Sequence, residues 1–135
     1  MKIYLRVLFV FLLSSLSSIT YSAKEVDDIV VVKTIAAVIE DNRPSLICSS
    51  LSRGGESLKY MWGVHVQMAK EILIANRKSN LVNQLEEMTQ LKTIIPSDWT
   101  LKETINFCLT HNDWEEVFAK AEMKDMGYEL NQIFK

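Results

Sequence analysis

The longest hydrophobic pattern in the chain lies near its centre and predicts a helix from about Glu56 to Arg77. Apolar positions recur there at steps of three and four residues, which is the repeat of one helix face. The stripe is formed by Leu58, Met61, His65, Met68, Ile72 and Ala75, and it is widened by Trp62, Val66, Ala69 and Leu73. A helix this apolar on one side must be covered, so we expect the rest of the chain to pack around it.

The segment before this helix, Lys24 to Asp41, is rich in valine and isoleucine. Such β-branched residues favour a strand, whereas the length of the run and its two adjacent alanines favour a helix. We interpret the segment as a helix that ends at Asn42, with a strand as the alternative. Pro44 is then expected to start a second helix, because proline suits the first helical turn. The pair Gly54-Gly55 is expected to end it.

The second half of the chain predicts several shorter helices. One runs from Leu81 to Leu91, before Pro96. Thr100 followed by Glu103 is a capping-box pattern, which predicts a helix start. In that helix Leu101, Ile105 and Cys108 share a face, so we expect the cysteine to point inward.

The C-terminal part predicts a further helix, lined by Trp114, Val117, Phe118 and Ala121, with Gly127 as its cap. The tail from Tyr128 to Phe134 is expected to add a last helical turn. No repeat or linker interrupts the sequence. We therefore predict one all-α domain of five to six helices, covering residues 23–135.

Residues 1–22 have the pattern of a cleaved secretory signal peptide. Lys2 and Arg6 precede an apolar run from Val7 to Leu13, and small and hydroxylated residues lead to Ser22. The alternative is an uncleaved membrane anchor, but a span needs roughly 20 apolar residues. We therefore predict an exported protein that has no membrane span after cleavage.

Charge narrows the possible partners. Without Lys2 and Arg6 the chain has 13 basic and 17 acidic residues, a formal charge of −4. Nucleic-acid binding needs a basic face, so we expect no nucleic-acid partner.

Two cysteines, Cys48 and Cys108, remain in the exported chain. Export to an oxidising compartment makes a disulfide the expected state. Closing a loop of 60 positions constrains the unfolded chain by roughly 4 kcal/mol in the chain-entropy model. For a domain of this size, that is a large part of the total stability.

The residue types of catalysis occur without the arrangement that catalysis needs. His65 lies in the apolar stripe, where we expect a core histidine with satisfied hydrogen bonds. His111 follows Cys108 by three positions, which suits a nucleophile pair, but a disulfide would consume the thiol. Two histidines are too few for a structural zinc site. We therefore expect no enzyme activity, no cofactor and no metal.

Surface features suggest binding instead. Trp62 and Trp114 are expected in the core, whereas Trp99, beside a Pro-Ser-Asp turn, is our candidate for an exposed anchor. The second candidate is a short glycine loop that carries charges of both signs and either plugs a partner's cleft or simply connects two helices. Its partner-binding residues would be Arg53, Gly54, Gly55 and Glu56.

The stretch Phe107-Cys108-Leu109, followed by His111 and by Trp114 to Val117, resembles one known family. That family is the periplasmic immunity proteins of type VI secretion amidase effectors, which are signal-peptide-bearing helical proteins with one early and one late cysteine. Cys48 and Cys108 match this layout, and Leu58 with Trp62 is a looser similarity.

The resemblance implies a non-catalytic inhibitor in the periplasm. It would bind a peptidoglycan-cleaving amidase effector, block its active-site cleft and form a homodimer, with Cys48 and Cys108 as its disulfide. The alternative function is a periplasmic chaperone or secretion-system accessory protein. Such a protein would hold clients in an apolar groove lined by Met61, Met68 and Met88, because methionine adapts to varied partners.

Overall fold

The computed structural model describes residues 25–51, 55–111 and 123–135, and every regular element in these ranges is helical. The protein is therefore all-α, as predicted. The signal-peptide prediction and the predicted helix around Trp114 lie outside the described residues. The elements are α1 (Asp28–Cys48), a 3₁₀ turn (Ser49–Leu51), α2 (Gly55–Ala75), a 3₁₀ turn (Ser79–Leu81), α3 (Val82–Thr89), α4 (Leu91–Ile94), α5 (Leu101–Thr110) and α6 (Met126–Phe134).

The valine-rich segment is helical in its described part, which decides between the helix and the strand. Asp27 caps α1, because its side chain accepts a hydrogen bond of 2.9 Å from the backbone N–H of Ile29. The predicted break at Asn42 to Pro44 is wrong: α1 continues through Pro44 to Cys48.

Burial explains why α1 tolerates the proline. Proline within a helix removes the hydrogen bond to the carbonyl four residues earlier and costs about 3 kcal/mol. Here that carbonyl belongs to Glu40, an exposed residue within reach of water. On either side of Pro44, the helix buries Ile39, Leu46 and Ile47. Their burial as one rigid element offsets the local cost.

The helix predicted from about Glu56 to Arg77 is α2, and the two sets of bounds agree to within two residues at each end. Gly55 begins this helix instead of ending the previous one, which corrects the predicted stop at Gly54-Gly55. At the C-terminus, Arg77 adopts a φ of 60°. The N–H groups of Lys78 and Arg77 donate to the carbonyls of Leu73 and Ile74, at 2.8 and 3.1 Å. These bonds form a Schellman cap, in which a left-handed residue closes the helix.

The predicted helix from Leu81 to Leu91 is divided into two. Gln90 is extended, with φ −63° and ψ 130°, and it separates α3 from α4. The carbonyl of Thr89, at the end of α3, accepts a 2.9 Å hydrogen bond from the indole Nε1 of Trp62. That tertiary bond gives a buried carbonyl its partner where the helix ends.

The main core lies between α1, α2, α3, α4 and α6. It contains Trp62, which was predicted to lie in the core and is 2 % exposed. Its other buried members are Val26, Val31, Ile35, Val38, Ile39, Leu46, Leu58, Ala69, Leu73, Leu81, Leu85, Ile94, Met126 and Leu130.

Helix α6 covers the inner face of α2 and also contacts α1. Asn42, buried in α1, fixes the entry to α6: its side-chain amide donates to the Lys124 carbonyl at 3.0 Å and accepts from the Lys124 N–H at 2.8 Å. Gly127 lies inside α6, where a Cβ would come within 3.3 Å of Ile72. The prediction that Gly127 caps the preceding helix is therefore wrong.

A second, smaller cluster surrounds the disulfide between Cys48 and Cys108, whose Cα atoms are 5.8 Å apart. We call it the disulfide cluster, and it consists of Ile47, Cys48, Ile95, Trp99, Phe107 and Cys108. It confirms the predicted disulfide and the inward orientation of Cys108. Through it, α5 packs mainly against α1.

Helix α5 begins as predicted, with a reciprocal capping box between Thr100 and Glu103. Hydrogen bonds from the Thr100 backbone and hydroxyl hold the pKa of the Glu103 carboxyl below its usual value. The predicted face of α5 is not buried as a unit, however. Leu101 and Ile105 are 68 % and 40 % exposed, and Cys108 alone is buried. In the described ranges no helix is long and apolar enough to cross a membrane.

Candidate functional site

The described part of the predicted partner-binding loop is its C-terminal end, at Gly55 and Glu56. Gly55 is buried, and a Cβ at this position would overlap the backbone carbonyl of Ser49. The position therefore requires glycine, because any side chain would push α2 away from the 3₁₀ turn. Glu56 is exposed and forms a 3.1 Å ion pair with Lys59. Arg53 and Gly54 lie outside the described residues.

Both ends of this loop are anchored. On one side, Ser49 is fully buried and donates its hydroxyl to the Leu46 carbonyl at 2.7 Å, directly after the disulfide-bonded Cys48. On the other side, Gly55 packs on Ser49. Five residues, from Ser50 to Gly54, thus connect two fixed points, and a chain segment whose ends are already fixed loses less conformational entropy if it binds a partner.

Trp99 is half-buried in the disulfide cluster, although the sequence suggested an exposed anchor. Its ring lies 5.2 Å from that of Phe107, tilted by 55°. Part of the indole stays accessible to solvent. Trp99 thus lies in the same cluster as Cys48, which directly precedes the 3₁₀ turn Ser49–Leu51. The role of Trp99 and of the loop in partner binding remains a prediction.

The side chain of His111 stacks on Phe107, with ring centroids 4.1 Å apart. Its Nδ1 lies 2.9 Å from the Phe107 carbonyl. A carbonyl can only accept, so this contact requires the hydrogen on Nδ1. Both cysteines are in the disulfide. The hypothetical Cys108–His111 pair therefore has no thiol in this structure.

His65 is buried as predicted, but its hydrogen bonds are not complete. The side chain is on the inner face of α2, and the residue is 8 % exposed. Its Nδ1 atom is buried and has no hydrogen-bond partner among the described residues. A buried polar atom without a partner costs about 1–3 kcal/mol, so within the described residues the Nδ1 atom is an uncompensated polar group on the inner face of α2.

The outer face of α2 carries a surface that sequence reasoning did not single out. Tyr60 is 72 % exposed on it, and Gly63 is exposed at its middle. Apart from its chain neighbours and the backbone of its own helix, no described atom lies within 4 Å of the position that a Gly63 Cβ would take. Glycine in a helix interior costs about 1 kcal/mol relative to alanine, and no packing inside this part of the chain requires it. Close backbone packing, a common reason for a glycine inside a helix, is therefore absent at Gly63 within the described residues.

Two open recesses flank Gly63. One, of about 360 Å³, is bounded by Tyr60, Val64 and Met68. The other, of about 420 Å³, lies between α2 and the α3–α4 segment. Of the two cations at their edges, Lys59 pairs with Glu56 and Lys70 with Glu86. The recesses therefore present little unpaired charge, and their chemistry is that of an apolar contact surface.

The three methionines proposed for a client groove do not share one surface. Met61 and Met68 are 41 % and 44 % exposed on α2. Met88 is partly buried and packs against the main core. The described residues hold no group of three or more side chains suited to a metal ion.

No family model matches the sequence, and neither the curated proteins nor the solved structures contain a significant match to it.

Proposed function

We propose that the protein is an exported, non-catalytic binding protein: an immunity protein that inhibits a peptidoglycan amidase effector toxin in the periplasm by blocking its active-site cleft. The observation that carries the proposal is the fixed position of the residues on either side of Arg53: Gly55 packs on the Ser49 backbone, and Ser49 follows the disulfide-bonded Cys48. A loop held in this way suits insertion into a cleft, because its ends need no further ordering.

The disulfide supports the proposed location. Disulfides persist in oxidising compartments, and the Cys48–Cys108 bond supports an exported protein. The periplasm and the amidase target come from the family resemblance of the sequence and form part of the proposal. Arg53, Gly54 and the exposed Glu56 would enter the cleft, the buried Gly55 would hold the base of the loop against Ser49, and Trp99 would contact the rim of the cleft from the disulfide cluster.

The test begins with the mature, oxidised protein as bait in lysates of the source organism and its close relatives. An amidase recovered in this way is purified and titrated with the protein on a peptidoglycan substrate. We expect its activity to be lost at one-to-one mixing. Arg53→Glu should weaken inhibition by about tenfold or more, since hot-spot substitutions have effects of this size.

The matched control is Lys92→Glu, the same charge reversal at an exposed position outside the proposed site. It should leave inhibition unchanged. If the protein instead suppresses aggregation of many unfolded exported proteins and inhibits no amidase, the chaperone function replaces this proposal. Equal loss of inhibition in both variants would contradict a role for the loop.

A further inference from the structure

Helix α5 is attached to the rest of the described fold mainly through the disulfide and its immediate neighbours. Cys108 is the only buried residue of α5, and Leu101, Ile105 and Leu109 are 68 %, 40 % and 71 % exposed. No residue of α5 belongs to the main core. A segment with so few buried apolar contacts opens at a lower free energy than the whole domain. Breaking the covalent bond should therefore free α5 and leave the main core folded.

The other sulfur, on Cys48, lies next to the base of the partner-binding loop. Cys48 is the fully buried last residue of α1, and Ile47 beside it belongs to the disulfide cluster and not to the main core. The N–H of Ser49 donates to the Ser45 carbonyl, and the Ser49 carbonyl lies against Gly55. If α5 moves away, the end of α1 loses its apolar cover, and Ser49 loses its fixed position.

Leu46 limits how far this release extends along α1. Its side chain is fully buried in the main core, which α5 does not share. The helix therefore stays anchored up to Leu46, and only the residues that follow depend on the cover of α5. These residues lead directly into the base of the loop.

We propose that the Cys48–Cys108 disulfide is a redox switch for the partner-binding loop. In the oxidised protein the bond keeps α5 over the end of α1, and Ser49 supports Gly55. In the reduced protein α5 and the end of α1 are released, and the loop binds its partner more weakly because its base is no longer fixed. The effect on binding rests on the function proposed above, whereas the release of α5 does not depend on it.

The switch is operated by thiol–disulfide exchange with a dithiol. A thiolate of the dithiol attacks the Cys108 sulfur and displaces the Cys48 thiolate, which takes up a proton. The second thiol of the dithiol then attacks the mixed disulfide and releases Cys108 as a thiol. The protein gains two electrons and two protons, and the dithiol becomes a disulfide. In an exported chain the reverse exchange, with an oxidised dithiol, fixes the base of the loop only after the chain reaches an oxidising compartment.

Hydrogen exchange of the mature protein tests the structural change, with reduced dithiothreitol in one sample and oxidised dithiothreitol in the control. After reduction, the amides of Ser49 and of α5 should exchange at nearly unprotected rates, because an isolated helix of this length is marginal in water. The amides of α2 and α6 should stay protected. Unchanged protection of Ser49 and α5 would overturn the proposal, and so would loss of protection throughout the main core.

The rate of reduction shows whether α5 opens separately from the main core. Phe107→Ala removes an aromatic side chain of the disulfide cluster and should speed reduction by about tenfold, because α5 then opens more easily. Leu85→Ala, within the main core, should leave the rate unchanged. If reduction required global unfolding, Leu85→Ala would speed it by about a hundredfold, in proportion to the stability lost. That result would overturn the proposal.

Inhibition is measured with the amidase recovered by the experiment above. The oxidised protein should inhibit it, and the Cys48→Ala, Cys108→Ala double variant should inhibit about tenfold or more weakly without any reductant. Reduction of the wild type should give the same loss, and reoxidation should restore inhibition. Equal inhibition by the oxidised protein and the double variant would overturn the switch. If no form inhibits an amidase but reduction releases α5 and Ser49 as expected, the proposed function is refuted and the conformational switch is established.

Discussion

The main core and the disulfide cluster hold their helices by different means. In the main core, α6 buries Met126 and Leu130 completely against α1 and α2. In the disulfide cluster, α5 buries Cys108 and leaves Leu101 and Leu109 mostly exposed. The first helix is held by apolar contact, and the second by a covalent bond with few contacts to support it. The difference indicates that the disulfide is needed where packing is too sparse.

The largest effect is expected on removing the disulfide with Cys48→Ala and Cys108→Ala. The unfolding free energy should fall by roughly 4 kcal/mol, because the bond closes a long loop. Amide protection against hydrogen exchange should fall in α5 before it falls in α2. Chemical reduction of the wild type is the control and should give the same pattern. Equal loss of protection in both helices would show that α5 does not depend on the bond.

Leu85→Ala tests the contribution of packing in the main core. Leu85 is fully buried in the main core, and a leucine-to-alanine change in a core costs about 3 kcal/mol. Denaturant unfolding should show a cooperative loss of stability that includes α6. Leu101→Ala, at an exposed position of α5, is the control and should change stability by less than about 0.5 kcal/mol. Similar losses for both variants would show that packing contributes as much to the stability of α5 as it does to the stability of the main core.

Asn42→Asp should loosen the attachment of α6 within the main core. The substitution replaces an N–H donor by a carboxylate oxygen that faces the Lys124 carbonyl. We expect a loss of about 2 kcal/mol from an unsatisfied buried group, with the amides of α6 exchanging fastest. Asn83→Asp, on the exposed side of α3, should be nearly neutral. An Asn42→Asp protein as stable as the wild type would show that the contact is not needed.

His65→Leu should act in the opposite direction. It removes the buried Nδ1 that has no partner among the described residues and leaves an apolar side chain of similar size. Thermal unfolding should show a gain of about 1 kcal/mol, compared with Gln84→Leu at an exposed site. A loss of stability in place of this gain would mean that His65 makes a contact that the apolar side chain cannot replace.

The smallest effect concerns the N-terminus of α1, where Asp28 accepts hydrogen bonds from Lys78 and Asn80 at 2.7 and 2.8 Å. These bonds, chiefly that of Lys78, lower the pKa of Asp28 from 3.8. Ionised Asp28 therefore stabilises the fold above its unfolded-state pKa, and the contribution is lost as pH falls through the lowered pKa. Asp28→Asn should flatten the acid side of the stability profile. An unchanged profile would contradict this role.

The sequence predicted those elements whose signals are local or periodic. The presence of α2, the capping box at Thr100 and the disulfide required no knowledge of the rest of the fold. The predicted stripe of α2 was only partly right, because Met61, Met68 and Ala75 are exposed, and Trp62, Ala69 and Leu73 are buried beside Leu58 and His65. Pro44 and Gln90 were misread because tertiary contacts decide them: buried residues on both sides keep α1 continuous, and the Trp62 indole binds the carbonyl at the end of α3. Local rules describe preferences that such contacts can override.

The candidate surfaces were predictable to a smaller degree. The composition of the loop pointed to Gly55. The reason why this position must be glycine is the nearby Ser49 carbonyl, which only the folded chain brings close. The outer face of α2 was missed because its residues are mixed in type. Tyr60 and Gly63 become informative only when their exposure is known.

The contact between Asn42 and Lys124 has a consequence for the order of folding. It joins positions 82 residues apart, and the helix that it secures follows all the other described helices. Contacts between distant parts of a sequence form late, because the chain must first close a long loop. A chain that emerges N-terminus first from a ribosome or a secretion channel must release α6 before the inner face of α2 is covered. Until then Ile72, which faces Gly127 of α6, remains accessible, and the nascent protein is open to chaperones and proteases along that part of α2.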